Sequence, residues 1–203
     1  MIEALFLDVG GVLGTNGWGN ASRRRACQKF GLDRTEFEER HRLICDAYEL
    51  GKLSLDQYLD HTVFHQARDF SRQEFHQFLH AQSEPHAEMI EFVSAIKRKY
   101  GLKVFVVSNE GRELSNHRIE AFGLRDFVDG FCVSSYVRFR KPDPDIFGLA
   151  LAMSMRPASR TLYVDDREIF VEVAQGYGMK GCLHDSTQIA DTIHVFQQHG
   201  LTL

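Results

Sequence analysis

The sequence predicts an α/β fold, a doubly wound parallel sheet with a helical cap inserted after its first strand. Five short segments are apolar or β-branched, as in strands buried on both faces, and helical patterns alternate with the later ones. Residues 16–85 instead hold several helical patterns and no strong strand run. We therefore predict an α/β core of residues 1–15 and 86–203 and a helical cap of residues 16–85.

The predicted core elements alternate along the chain, which implies right-handed strand–helix–strand crossovers. The strands are Ala4 to Leu7, Lys103 to Val107, Phe131 to Ser134, Thr161 to Val164 and Gly181 to Leu183. The amphipathic segments of helical length are His86 to Tyr100, Glu113 to Phe122, Asp143 to Ser154, Glu168 to Gln175 and Ser186 to His199.

Helix boundary signals divide the predicted cap. SLDQ at residues 54–57 and SRQE at residues 71–74 have the spacing of capping boxes, and Gly31 and Gly51 follow helical stretches as terminating glycines do. The insertion leaves the sheet at the carboxyl end of a strand, which is where open α/β sheets bind ligands. The cap is therefore expected to cover a site.

Composition limits the possible partners. The chain has 203 residues, 43% of them hydrophobic, which suffices for a sizeable core, and its formal net charge is −4. This charge gives no global attraction to nucleic acid or to an anionic membrane. No apolar run approaches the ~18 residues of a membrane span, and no basic signal-peptide region precedes the first strand. The sequence predicts a soluble cytoplasmic protein with a small-molecule partner and leaves the oligomeric state open.

Several smaller patterns have ordinary structural interpretations. GYGMKG at residues 176–181 has dinucleotide-loop spacing but lies between a helix and a strand, so we expect a helix stop and turn. The His61/His65 and His76/His80 pairs are expected to be structural, and the arginines at 23–25 to form a solvated face or, alternatively, to attract a phosphate. Asn16 and Trp18 are candidates for packing or for substrate contact. The four cysteines are predicted to be buried thiols: Cys27, Cys45, Cys132 and Cys182.

Polar residues gather where three predicted strands end, and these ends meet at one edge of a doubly wound sheet. The residues are Asp8, Ser108, Asn109, Asp165 and Asp166, joined by Lys141 from the loop RFRKPDPD. A carboxylate attacks phosphorus to form an aspartyl phosphate only if cations offset the repulsion between the two anions. Lys141 and a magnesium ion would supply that positive charge.

The hard oxygen ligands that Mg²⁺ prefers are present. Asp8 and the pair Asp165 and Asp166 are suitable donors, and the carbonyl of Gly10 is another. Ser108 and backbone amides near Asn109 would donate to phosphate oxygens, while the glycines at 10 and 11 allow a close backbone approach.

Four segments resemble, in order, the motifs of the haloacid dehalogenase (HAD) superfamily, most of whose members are phosphatases. The segments are FLDVGGVL, VVSN, RKPDPDIF and YVDD, between residues 5 and 166. The predicted helical insertion matches the α-helical cap of that superfamily. YELGKLSLDQYL, residues 48–59, also resembles the caps of sugar-phosphate phosphatases and of the phosphatase domain of soluble epoxide hydrolases.

The resemblance implies a role for each matching residue. It makes Asp8 the nucleophile and a magnesium ligand, and Gly10 a metal ligand through its carbonyl. It makes Asp166 a direct metal ligand supported by Asp165. The residues that would bind the phosphate are Ser108, Asn109 and Lys141, the last of which would also neutralise charge.

Gly10 departs from the pattern, because most phosphatases of the superfamily carry a second Asp there as general acid and base. Such assistance raises the reaction rate by about 100- to 10,000-fold, and its effect is largest where the leaving alkoxide is strongly basic. We therefore expect a preference for good leaving groups, such as sugar 1-phosphates, aryl phosphates or acyl phosphates.

Two other functions remain open on the sequence. One is a metal-independent 2-haloacid dehalogenase, against which the retention of Asp165 and Asp166 counts. The other is a non-catalytic phosphate-binding or regulatory module, which the loss of an acid at Gly10 supports. Dependence of turnover on magnesium separates these from a phosphatase.

Overall fold

A computed structural model describes all 203 residues and contains one five-stranded sheet. All neighbouring strands are parallel, in the order β3-β2-β1-β4-β5. The strands are β1 (Ala4–Leu7), β2 (Lys103–Ser108), β3 (Gly130–Val133), β4 (Thr161–Asp165) and β5 (Lys180–Leu183). The predicted parallel α/β sheet is confirmed. The chief difference is at β3, which ends before Ser134 because that residue begins a short helix.

Four helices follow β1, as the boundary signals predict: α1 (Asn20–Phe30), α2 (Arg34–Glu49), α3 (Leu55–Thr62) and α4 (Arg72–His80). Both predicted capping boxes form, at Ser54 before α3 and at Ser71 before α4. Gly31 ends α1 with a φ of 59°, in the left-handed region that favours glycine. These helices are therefore set by local sequence signals.

The remaining helices cover the two faces of the sheet. They are α5 (Ala87–Tyr100), α6 (Arg112–Ala121), α7 (Ser134–Val137), α8 (Pro144–Ser154), α9 (Glu168–Gly176) and α10 (Ile189–Gln198). The start of α10 lies three residues beyond the predicted one at Ser186. The side chain of Asp185 accepts hydrogen bonds from the backbone and hydroxyl of Thr187, which forms a turn there instead. None of the ten helices is long and apolar enough to span a bilayer.

The strands alternate their side chains between two cores. Leu5 and Leu7 of β1 join one buried apolar cluster with α5 and α10, whereas Phe6 joins the other with α8 and α9. Because both faces are covered in this way, polar groups of the central strands are accessible only at the strand ends.

A third apolar cluster lies among α1 to α4 and is rich in aromatic rings. The Trp18 ring makes edge contacts with Phe37 and Phe75, at centroid distances of 6.2 and 5.8 Å, and its Nε1 donates to Tyr58 Oη at 3.0 Å. Trp18 therefore packs within the helical insertion, one of the two roles expected for it.

The two chain segments that connect this insertion to the sheet pair with each other. The Thr15 N–H donates to the Glu84 carbonyl at 2.9 Å, and the His86 N–H donates to the Leu13 carbonyl, also at 2.9 Å. Both connections therefore run side by side next to the end of β1, which fixes where the insertion lies over the sheet edge.

Candidate active site

The carboxyl ends of β1, β2 and β4 bring the predicted polar residues together. Asp8 directly follows β1, Ser108 ends β2, and Asp165 ends β4 with Asp166 next to it. One carboxylate oxygen from each of the three aspartates lies within 4.8 Å of the others, and this is the only such cluster of His, Cys, Asp or Glu with metal-binding spacing. The fold thus concentrates negative charge at one point.

Lys141 lies against these carboxylates. Its Nζ is 3.1 Å from Asp8 Oδ1 and 2.6 Å from Asp165 Oδ2, and the side chains of Lys141 and Asp165 are fully buried. Burial opposes the charge on Lys141, but Asp8 and Asp165 outweigh it and raise the pKa of the ammonium. Lys141 is therefore a fixed positive charge beside Asp8.

Burial raises the pKa of Asp8 to about 7 even though the Lys141 ammonium lowers it, and the neighbouring carboxylates raise it further. The Asp8 Oδ1 atom accepts from the Val9 N–H at 2.8 Å as well as contacting Lys141. Neither contact uses Oδ2. A divalent cation at the three aspartates would favour the ionised Asp8.

Asp165 and Asp166 differ in their hydrogen bonding. Asp165 Oδ2 accepts from Lys141 and from the hydroxyl of Tyr163, and its Oδ1 accepts from the Arg167 N–H at 2.9 Å. In contrast, Asp166 Oδ1 is buried and has no partner, while its Oδ2 accepts from Asn16 Nδ2 at 3.0 Å. A buried carboxylate oxygen without a partner is unfavourable, so this oxygen fits a cation ligand. The three aspartates therefore fit a hard cation such as Mg²⁺.

The two glycines after Asp8 make room for side chains from elsewhere. Gly11 has a φ of 78°, and a Cβ on it would collide with the Asp166 carboxylate. A Cβ on Gly10 would lie 2.9 Å from Asn16 Oδ1 and 3.7 Å from Arg118 Nη1. The space that an acid at position 10 would use is therefore shared by Asn16 and Arg118.

Asn109 holds the lysine loop through its side chain. Its Nδ2 donates to the Lys141 carbonyl at 2.8 Å, and its Oδ1 accepts from the Lys141 N–H at 2.7 Å. The backbone N–H groups of Gly10 and Asn109 donate to no protein acceptor. Any phosphate contact from Asn109 would therefore use its backbone, while its side chain positions Lys141.

A cavity of about 360 Å³ opens above these residues, between the sheet edge and the helical insertion. Trp18, Arg23, His41 and Tyr48 contribute to its wall from the insertion. Burial, with Arg23 nearby, lowers the pKa of His41 to about 4, so this imidazole is neutral at pH 7. The hydroxyl of Tyr48 is buried and has no partner.

Glu110 and Arg118 line this cavity and are among its residues that were not anticipated from the sequence. Glu110 and Arg118 form a buried ion pair, 6% and 2% exposed respectively. Arg118 shares the buried face of α6 with Leu114 and Ile119. A charged residue within that apolar stripe is the sequence signal that would have indicated it.

A family model for haloacid dehalogenase-like hydrolases matches residues 2–176. The chain belongs to this family. It is thus a HAD-like hydrolase, as the four ordered motifs predict.

Solved structures show the same fold. The HAD-like hydrolase resembles a HAD family enzyme from Bacteroides thetaiotaomicron in its magnesium complex, with a TM-score of 0.79, 20% identity, and coverage of 97% of this chain and 98% of the other. The same enzyme with magnesium and inorganic phosphate gives a TM-score of 0.73 at 20% identity, with 90% and 93% coverage. L-2-haloacid dehalogenase from Xanthobacter autotrophicus gives 0.63 at 17% identity, with 89% and 76% coverage. A search of curated proteins finds no match.

GYGMKG joins the end of α9 to β5, which confirms the expected turn. Neither His pair belongs to a cluster with metal-binding spacing. Arg23 departs from a simple solvated face, because it pairs with Glu38 at 3.0 Å and borders the cavity.

One of the four cysteines of the HAD-like hydrolase departs from the prediction of buried thiols. Cys27, Cys132 and Cys182 are buried, but Cys45 is only half-buried. The reason is its position in α2, where the cavity opens beside it.

Proposed function

We propose that this HAD-like hydrolase is a magnesium-dependent phosphatase that acts on a small phosphorylated metabolite through an aspartyl phosphate at Asp8. The observation that carries the proposal is the pairing of Asp8 with the buried Lys141 ammonium, beside the unpartnered Asp166 oxygen. The Lys141 ammonium is one fixed cation, and the unpartnered Asp166 oxygen is a ligand for a second. An anionic nucleophile needs such positive charge to approach a phosphate. The Bacteroides enzyme solved with magnesium and inorganic phosphate supports the same chemistry.

Asp8, the Gly10 carbonyl and Asp166 would hold the magnesium ion, with Asp165 in support. The bound ion supplies positive charge that neutralises the phosphate oxygens. Lys141 provides the second positive charge, and its contact with Asp165 keeps the ammonium in place. The Ser108 hydroxyl and the free N–H groups of Gly10 and Asn109 would donate to the other phosphate oxygens.

The reaction proceeds in two displacements at phosphorus. The Asp8 carboxylate attacks, the bond from phosphorus to the substrate oxygen breaks, and the alkoxide leaves and takes a proton from solvent. Water then gives up a proton as it attacks the phosphorus of the aspartyl phosphate, and the bond from phosphorus to the Asp8 oxygen breaks, which releases inorganic phosphate and restores Asp8. The enclosing helical insertion limits the access of bulk water to this site.

The cavity supports a small polar substrate. Its volume of about 360 Å³ is at the lower end of the range for small-molecule sites. Arginine, histidine and tyrosine side chains line the half that belongs to the insertion, which suits a hydroxylated or anionic leaving group. We therefore place the substrate among phosphorylated metabolites such as sugar phosphates.

Asp8→Asn tests the proposal. We expect magnesium-dependent phosphate release from p-nitrophenyl phosphate by the native protein, and a loss of about 10⁴-fold or more in the variant, because the amide is not a nucleophile. Phosphate release is measured with and without magnesium. Thermal unfolding of both proteins shows whether the variant is folded.

The opposing outcomes are specific. Full activity of Asp8→Asn would refute the aspartyl-phosphate mechanism. Release of chloride from 2-chloropropionate without added metal, together with inactivity towards every phosphate ester, would instead identify a haloacid dehalogenase. Tight binding of phosphate without turnover would identify a non-catalytic module.

The absence of an acid at Gly10 predicts which phosphate esters react faster. We expect glucose 1-phosphate to react faster than glucose 6-phosphate by about tenfold or more, because its leaving group needs less protonation. The comparison uses kcat/KM for the two isomers under the same magnesium concentration. A faster reaction of glucose 6-phosphate would contradict the interpretation of Gly10.

A further inference from the structure

Glu110 lies close to the space that a side chain at Gly10 would enter. The Arg118 Nη1 atom that would be 3.7 Å from a Cβ on Gly10 is the same atom that donates to Glu110 Oε1. Only one guanidinium nitrogen therefore separates the Glu110 carboxylate from the position of the missing acid. Glu110 follows β2 directly after Ser108 and Asn109, and it lines the same cavity as Asp8.

The Glu110 carboxylate has one oxygen that the protein does not satisfy. Its Oε1 is bound by Arg118, but Oε2 is buried and has no hydrogen-bond partner. Leaving a buried carboxylate oxygen unpaired costs free energy, and such a group in a native structure calls for a partner or a chemical role. A water molecule is the simplest donor for this oxygen, since the residue borders a polar cavity.

We propose that Glu110 is the general base for hydrolysis of the aspartyl phosphate, taking the role that a second Asp at position 10 would have. This inference rests on the proposed phosphatase function. Water attacks phosphorus and transfers a proton to Glu110 Oε2 as the bond from phosphorus to the Asp8 oxygen breaks. Inorganic phosphate and the Asp8 carboxylate result, and the proton on Glu110 then passes to solvent.

The ion pair explains why Glu110 acts as a base and not as an acid in the first displacement. In the ion pair with Arg118 the carboxylate is a hydrogen-bond acceptor only, and Oε2 is the oxygen left without a partner. The leaving group therefore departs without protonation, while the attacking water is assisted. This division agrees with the expected preference for good leaving groups.

Glu110→Gln tests the inference, because the amide oxygen can still accept from Arg118 while the other atom can no longer accept a proton. We expect a burst of p-nitrophenol of about one equivalent per enzyme, followed by steady-state turnover slower than native by about 100-fold or more. Intact mass after acid quench is expected to show phosphorylated enzyme in this variant. Asp8→Asn is expected to show neither burst nor phosphorylation.

Ser83→Ala is the matched control. The Ser83 hydroxyl accepts from Arg118 Nε at 3.1 Å, so its loss disturbs the same guanidinium without touching the carboxylate. We expect native burst and steady-state behaviour from this variant. Equal slowing in Ser83→Ala and Glu110→Gln would overturn the base role and assign the ion pair a structural one.

Other outcomes also decide the question. Native turnover in Glu110→Gln, or slowing without phosphoenzyme accumulation, would overturn the inference while leaving the phosphatase function intact. If Glu110→Gln does not fold, Glu110→Ala is assayed with added formate, and restoration of phosphate release supports the base role while its absence opposes it. Failure of native protein to release phosphate would instead be a failure of the proposed function itself.

Discussion

Lys141→Met is expected to lower kcat on p-nitrophenyl phosphate by about 100- to 1,000-fold or more, the scale seen when a single electrostatic contact to the transition state is removed. Lys141 Nζ lies 3.1 Å from Asp8 Oδ1 in a fully buried position, so no solvent cation replaces it freely. The native and variant proteins are compared at saturating substrate and magnesium. Activity within tenfold of native would show that Lys141 does not neutralise the developing charge.

The same substitution is expected to reduce the free energy of unfolding by about 3–5 kcal/mol, because it leaves buried carboxylates without their partner. Urea unfolding measures this effect. Arg140→Met serves as the control, since Arg140 borders the same cavity but pairs with Glu49 and Asp46 on α2 instead of Asp8. If Arg140→Met loses little stability and keeps kcat within a few-fold of native, a positive charge that only borders the cavity does not replace the role of Lys141 beside Asp8.

The strands and capped helices could be predicted because their signals are local. A short apolar run such as Ala4–Leu7 is incompatible with a solvated loop, and each capping box satisfies its own helix end within four residues. The errors lie at two element boundaries. Asp185 forms a turn that delays α10, and Ser134 begins α7 where the strand pattern continues.

The proximity of Asp8, Ser108 and Asp165 could be predicted from strand order, since parallel strands end at one edge of a sheet. Lys141 lies in a loop, and its placement depends on the amide of Asn109, which local sequence does not reveal. Glu110 and Arg118 are eight residues apart, and their pairing requires α6 to pack beneath the cavity. The charge within the apolar stripe of α6 marks Arg118 as unusual, but tertiary packing decides that its partner is Glu110.

Arg118→Met is the second substitution with a large expected effect, a loss of about 3–5 kcal/mol in the free energy of unfolding. The guanidinium is 2% exposed, and it binds Glu110, the Thr15 carbonyl and the Ser83 hydroxyl. Thr15 and Ser83 belong to the two connections between the sheet and the helical insertion. Removal of the side chain therefore leaves a buried carboxylate unpaired and also loosens both connections.

The double variant Arg118→Met/Glu110→Gln separates these two contributions. If the unpaired Glu110 charge dominates, the double variant is more stable than Arg118→Met alone, because a neutral amide tolerates burial better than a carboxylate. If the contacts to Thr15 and Ser83 dominate, the second substitution restores nothing, and Ser83→Ala alone already shows a loss of about 1 kcal/mol. Urea unfolding of the four proteins gives the coupling energy between the two charges. We expect recovery in the double variant, since Glu110 lies almost wholly out of water whereas both connections also hydrogen-bond directly to each other.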